Sequence, residues 1–230
     1  MEKQDFPKIS HILFDMDGLL LDTESLYTIA QEKILDRFGI KFTWEVKSKM
    51  MGRKALDAVN VMLDIYQLRD KITAEDFLKE RESILDNLFP TCQLMPGVEK
   101  LLLHLHENSI PMAVATSSHS RNYKLKTETN HRLLFEKVFH HVITGDEVMN
   151  SKPSPDIFQL AAKGFDYDVH PSRVLVFEDA PVGVEAALAA NMNVVLVSSS
   201  VDPGSIKCHQ HLKTLDSFSP EIWGFPAYIH

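Results

Sequence analysis

Cysteine is scarce in this chain: two among 230 residues, Cys92 and Cys208, in unrelated contexts. That offers no disulfide framework and suits a reducing compartment. Long apolar runs are missing too. No stretch approaches the ~18 apolar residues that a membrane span needs. The opening "MEKQDFPKIS" has no apolar signal-peptide segment. A membrane partner is not expected, and the cytoplasm is the expected compartment. Basic charge is in deficit as well, with 24 Lys and Arg against 32 Asp and Glu, a net charge of −8. A nucleic-acid polymer would need clustered Lys and Arg and is not expected as a partner. A small anionic substrate stays open, because one local cation can outweigh the global field. No internal repeat or low-complexity segment is visible, and the chain is expected to act as a monomer.

What the chain does have is a series of short apolar runs at wide intervals. They are Ile12-Leu13-Phe14, Met112 to Ala115, Val142 to Thr144, Val174 to Phe177 and Val194 to Val197. They do not alternate with polar residues, as expected of strands covered on both faces. Helical patterns separate the later ones, and those at Pro155 and Pro181 open on proline, which suits a first helical turn. Strands alternating with helices predict an α/β fold, a doubly wound parallel sheet. Between the first two runs lie three helical stripes. Leu26, Ile29, Ala30, Ile34, Leu35 and Phe38 make the first. Leu56, Val59, Met62, Leu63 and Tyr66 make the second, and Phe77, Ile84, Leu85 and Leu88 the third. Residues 23–92 are therefore expected to form an inserted helical cap, with residues 1–22 and 93–230 as the core. An insertion after the first strand would lie near the edge where open α/β sheets bind ligands.

The polar residues are placed with purpose. "ILFDMD" ends in Asp15 and Asp17, "MAVATSS" in Thr116 and Ser117, and "VLVFEDA" in Glu178 and Asp179. Lys152 arrives in "NSKPSPDIF", between the third run and its helix. In a parallel sheet these strand ends converge. Carboxylates gathered there would repel one another and raise their own pKa values unless a cation joined them. Oxygen ligands favour a hard divalent ion, Mg²⁺. Lys152 and Thr116 add little to a metal site alone, but both suit an anion beside it, the ammonium neutralising and the hydroxyl donating. The pattern reads as a site for a metal and a phosphate. An EF-hand loop does not fit, since counting from Asp15 the sixth position is Leu20 and the twelfth Leu26. Zinc is equally unsupported: His104 and His106 stand two apart on a helical pattern and face different ways.

"DMDG", Thr116, Lys152 and "EDAPVGVEAA", in this order, resemble the four motifs of the haloacid dehalogenase-like hydrolases. "MGRKAL", "MPGVEKLL", "ATSSHS" and "LDSFSPEIWGFPAY" are similar to that family's pseudouridine-5′-phosphatase branch. Ser151 departs from the pattern, standing where many relatives have glycine. The stretch "RNYKLKTETNHRLLF" carries no recognisable motif. The resemblance implies a Rossmann-like core and a Mg²⁺-dependent phosphomonoesterase acting on a small phosphorylated metabolite, pseudouridine 5′-phosphate or a similar nucleotide. It implies Asp15 as nucleophile forming an aspartyl-phosphate, Asp17 as general acid and base, and Thr116 and Lys152 as their catalytic companions. Asp15, Asp17 through its backbone carbonyl, Asp179 and Glu178 would hold the metal. Thr116, Ser117, Lys152, and Arg53, Lys54 and Glu24 of the cap would bind substrate. A phosphosugar mutase of the same fold would use the same residues. A non-catalytic phospho-metabolite sensor is the alternative of another class.

Overall fold

The computed structural model describes residues 8–50, 55–165, 168–202 and 204–228. The chain divides into two compact units, one made of the chain before Thr23 and after Cys92, the other of Thr23–Cys92.

The first unit is built on a six-stranded sheet. Its strands are β1 (His11–Phe14), β2 (Met112–Ala115), β3 (His141–Ile143), β4 (Val174–Glu178), β5 (Asn193–Val197) and β6 (Gln210–Leu212), and they lie in the order β3-β2-β1-β4-β5-β6. Every neighbouring pair is parallel. β1 lies centrally, and the chain runs outward from it on one side to β3, then returns to its other side as β4. The gap above β1 and β4 is thus the switch point where such sheets take ligands.

The apolar runs become strands because both of their faces are buried. Leu13, Val176 and Val194 join Phe158, Ala161, Val184 and Ala187 in one cluster. Phe158 and Ala161 belong to α8 (Asp156–Lys163), and Val184 and Ala187 to α9 (Pro181–Ala189). Phe14 and Phe177 are register partners whose rings stack 4.9 Å apart. Phe218 of the tail packs its ring against Phe177, and Trp223 is buried with its indole N–H donating to Gln210 Oε1 at 2.7 Å.

One part of this unit differs from expectation. β6 has no apolar run to announce it, because Gln210, His211 and Leu212 are all only half-buried at the sheet edge. After α5 (Val98–Glu107), the stretch without a motif forms α6 (Ser120–Thr127) and α7 (Arg132–Val138).

The second unit contains α1 (Thr23–Asp36), α2 (Trp44–Met50), α3 (Ala55–Ile65) and α4 (Ala74–Leu88). Ile34, Leu35, Val46, Met50, Val59, Met62, Leu63 and Phe77 form its core. Two residues of the expected stripes, Ile29 and Leu56, turn outward and are exposed, and α2 was not visible as a stripe at all. α4 has a defined start: Thr73 Oγ1 accepts the Asp76 N–H at 3.0 Å, capping one of the donors a helix end leaves free.

Candidate active site

The residues at the ends of β1, β2 and β4, together with the Lys152 loop, meet at one edge of the sheet. The Asp15 N–H donates to Phe177 O at 3.0 Å, extending the β1–β4 ladder by one rung and fixing Asp15 beside β4. Gly18 then turns the chain with φ of +81°. A Cβ at Gly18 would collide with the Asp179 carboxylate, so that carboxylate occupies space which only glycine leaves open.

Lys152 is the hub. Its Nζ donates to Asp15 Oδ1 and to Glu178 Oε1, both at 2.6 Å, and to Ala115 O at 3.2 Å. Its side chain is 6% exposed, and its ammonium lies 4.7 Å from the centre of the Phe158 ring. The other oxygen of Glu178, Oε2, accepts the backbone N–H groups of Asp179 and Ala180 at 3.1 and 3.2 Å. Gly183 on α9 makes this possible, because a Cβ there would collide with the Glu178 carboxylate. Ser151 does not adopt positive φ, so the side chain at this position costs no backbone strain.

The electrostatics follow from burial. Burial is the largest influence on Asp15, and Glu178 and Asp17 act in the same direction; against Lys152 they push its carboxyl up to about 7. Burial by itself would lower the Lys152 ammonium, but Asp15 and Glu178 outweigh it and hold its pKa above the ordinary value.

One carboxylate oxygen from each of Asp15, Glu178 and Asp179 lies within 4.8 Å of the others. When all three are ionised, the Lys152 ammonium leaves two negative charges in excess. A set of hard oxygens with that excess fits a divalent cation. The Asp17 side chain is not part of this cluster.

The Asp17 carboxylate is held elsewhere. Its Oδ2 accepts from Ser118 Oγ at 2.7 Å and from Thr116 Oγ1 at 3.3 Å. Its Oδ1 accepts from Lys126 Nζ at 2.5 Å, and that ammonium also donates to Ser118 Oγ at 2.8 Å. Sequence reasoning named neither Ser118 nor Lys126. It named Ser117, which is exposed, one residue away from the hydroxyl that reaches Asp17. Thr116 is fully buried, and its Oγ1 also accepts the Ser118 N–H at 3.1 Å. Within the helical unit, Glu24 lies in the first turn of α1 with a side chain 65% exposed, and Lys47 Nζ is 3.5 Å away. Arg53 and Lys54 lie outside the described residues.

Comparison with known proteins identifies the family. The haloacid dehalogenase-like hydrolase pattern matches residues 12–197. The chain is 51% identical to (DL)-glycerol-3-phosphatase 2 of Arabidopsis thaliana, over 96% of this chain and 93% of that protein. It is 42% identical to "Probable pseudouridine-5'-phosphatase" of Drosophila melanogaster, over 96% of both chains. The fold is similar to a crystal structure of a HAD hydrolase, family IA, variant 3, from Entamoeba histolytica. That match has a TM-score of 0.75 at 24% identity, covering 94% of this chain and 97% of the other. The chain belongs to the haloacid dehalogenase-like hydrolase family, and within it is a phosphatase.

Proposed function

We propose that the protein is a Mg²⁺-dependent phosphomonoesterase that removes phosphate from the primary hydroxyl of a small polyol or nucleoside. The observation that carries this reading is the buried Lys152 ammonium, 2.6 Å from both Asp15 and Glu178, beside a cluster of three carboxylates. An ammonium there anchors the nucleophile and offers positive charge to a phosphoryl group.

Lys152 holds Asp15 Oδ1, which leaves Oδ2 to attack phosphorus. As the new O–P bond forms, the bond from phosphorus to the substrate alcohol breaks, and Asp17 gives the departing oxygen its proton. A water then attacks the aspartyl-phosphate, Asp17 takes a proton from it, and phosphate leaves Asp15 free. The Thr116 hydroxyl reaches a phosphoryl oxygen by rotating away from Asp17, with Ser117 beside it at the end of β2. Asp15, the Asp17 carbonyl and Asp179 are the residues that would hold Mg²⁺. Glu178, with both oxygens engaged by Lys152 and backbone N–H groups, would stand behind them. The ion would supply charge that shields the phosphoryl oxygens from the attacking carboxylate.

Glycerol 3-phosphate and pseudouridine 5′-phosphate are both esters of primary alcohols. The higher identity to the glycerol-3-phosphatase moves the first choice of substrate from pseudouridine 5′-phosphate to glycerol 3-phosphate. Specificity is assigned to the helical unit, with Glu24, Arg53 and Lys54 as the residues to vary. The test is phosphate release from glycerol 3-phosphate, pseudouridine 5′-phosphate, other nucleoside 5′-monophosphates and sugar phosphates, with and without Mg²⁺. We expect one ester to dominate and turnover to require the metal. Equal, feeble turnover of every ester, or conversion of a sugar phosphate to its isomer without phosphate release, would overturn the proposal.

A further inference from the structure

Asp15 and Asp17 are two residues apart, yet each has its own buried lysine. Lys152 grips Asp15, while Lys126 grips Asp17 from the last turn of α6, with a side chain 0% exposed. Nothing in the helix "SRNYKLKT" marks Lys126 out, since Lys124 lies two residues earlier in the same polar stretch. Burying an ammonium is costly unless its charge and its protons are all used. Here it contacts Asp17 Oδ1 and Ser118 Oγ, and Ser118 in turn donates to Asp17 Oδ2. Both oxygens of one carboxylate are thereby fixed by a closed triangle of side chains.

Asp17 needs such a fixture. It stands on a turn just past the end of β1, its side chain is 28% exposed, and Gly18 follows with positive φ. Left alone, its carboxylate could swing toward the Lys152 ammonium or toward a bound cation, and proton transfer depends steeply on placement. We infer that Lys126 is a positioning residue. With Ser118, it holds the Asp17 carboxylate apart from the Asp15–Lys152–Glu178 cluster and aims it at the leaving oxygen. This rests on the assignment of Asp17 as the acid and base of the proposed reaction.

The test separates positioning from mere structure through the leaving group. An alkyl phosphate needs a proton on its departing oxygen, whereas 4-nitrophenyl phosphate does not. For Lys126→Met we expect kcat/KM to fall about 10- to 100-fold for the preferred alkyl ester. For 4-nitrophenyl phosphate we expect a fall of less than about threefold, since proton donation is not needed there. Lys126→Arg, which keeps the cation, should recover most of the loss. Ser118→Ala should show the same selectivity at smaller amplitude, and it carries the test together with Lys126→Arg should Lys126→Met fail to fold. Equal losses on both esters, or no loss on either, would overturn the inference. Asp17→Asn is run alongside: if its own loss ignores the leaving group, the acid role of Asp17 is what fails, independently of Lys126.

Discussion

The ion pairs at the strand ends of the sheet unit differ in kind from most of those in the helical unit, though the sheet unit also carries an exposed pair, Arg132 with Glu136, and Arg81 of the helical unit is mostly enclosed. In the helical unit Arg37 pairs with Glu80, Lys49 with Glu45 and Arg69 with Asp64, and all of these side chains keep a third or more of their surface in water. In the sheet unit Lys126 and Lys152 are almost completely enclosed, and they meet Asp17, Asp15 and Glu178. Exposed pairs are solvated and screened, so each contributes little. Enclosed pairs are expensive to assemble, and breaking one strands a charge away from water. A fold that accepts that cost at one edge of its sheet keeps charge there for chemistry rather than for stability.

The largest effect should come from the proposed nucleophile. Asp15→Asn should lower phosphate release by a factor on the order of 10⁴ or more, measured as kcat on the preferred ester. Undiminished release would remove Asp15 from the role of nucleophile.

The contrast itself is tested by paired substitutions. Lys152→Met strands two buried carboxylates and should cost about 3 kcal/mol of unfolding free energy, read from urea denaturation. Lys49→Ala in the helical unit should cost less than about 0.5 kcal/mol. Similar losses for the two would erase the distinction between the regions.

Gly183→Ala comes next. Its Cβ would meet the Glu178 carboxylate, forcing that group off Lys152. We expect a destabilisation of about 1–3 kcal/mol, typical of an overpacked site. An unchanged denaturation midpoint would show that Glu178 has room to move.

The smallest effect concerns the burial of two imidazoles. The rings of His11 and His141 lie 4.5 and 4.9 Å from that of Phe165. Burial, before any charge effect, lowers both pKa values from the ordinary 6.5. Below that value the unfolded chain binds more protons than the folded one, so stability is complete above pH 6.5 and declines as pH falls toward the depressed folded values. Denaturation midpoints compared at about pH 7.5 and 5 should show this decline, and His141→Gln should make it shallower. A wild-type midpoint that did not move would remove these histidines from the account.

How much of the site could be read from the chain varied residue by residue. Asp15, Thr116, Glu178 and Asp179 were legible because each ends an apolar run, and parallel strands bring such ends together. Lys152 was legible from its place between a run and a helix. Ser118 was not legible as a partner of Asp17, because which hydroxyl turns toward it depends on how the chain leaves the strand. β6 was missed because an edge strand buries too little to need an apolar run. Lys126 was invisible: a lysine in a polar helix reads as solvated unless a carboxylate waits on its inner face.

By itself, the sequence determined the parallel α/β sheet, through apolar runs that need cover on both faces, and the gathering of acids at one edge of it. The pairing of Lys152 with Asp15 or Glu178 was also legible there, but only the tertiary structure decided that Asp17 has a cation of its own, Lys126. Pairing charges depends on distances between residues a hundred or more positions apart, such as Asp17 and Lys126. Periodicity along the chain carries no trace of such distances.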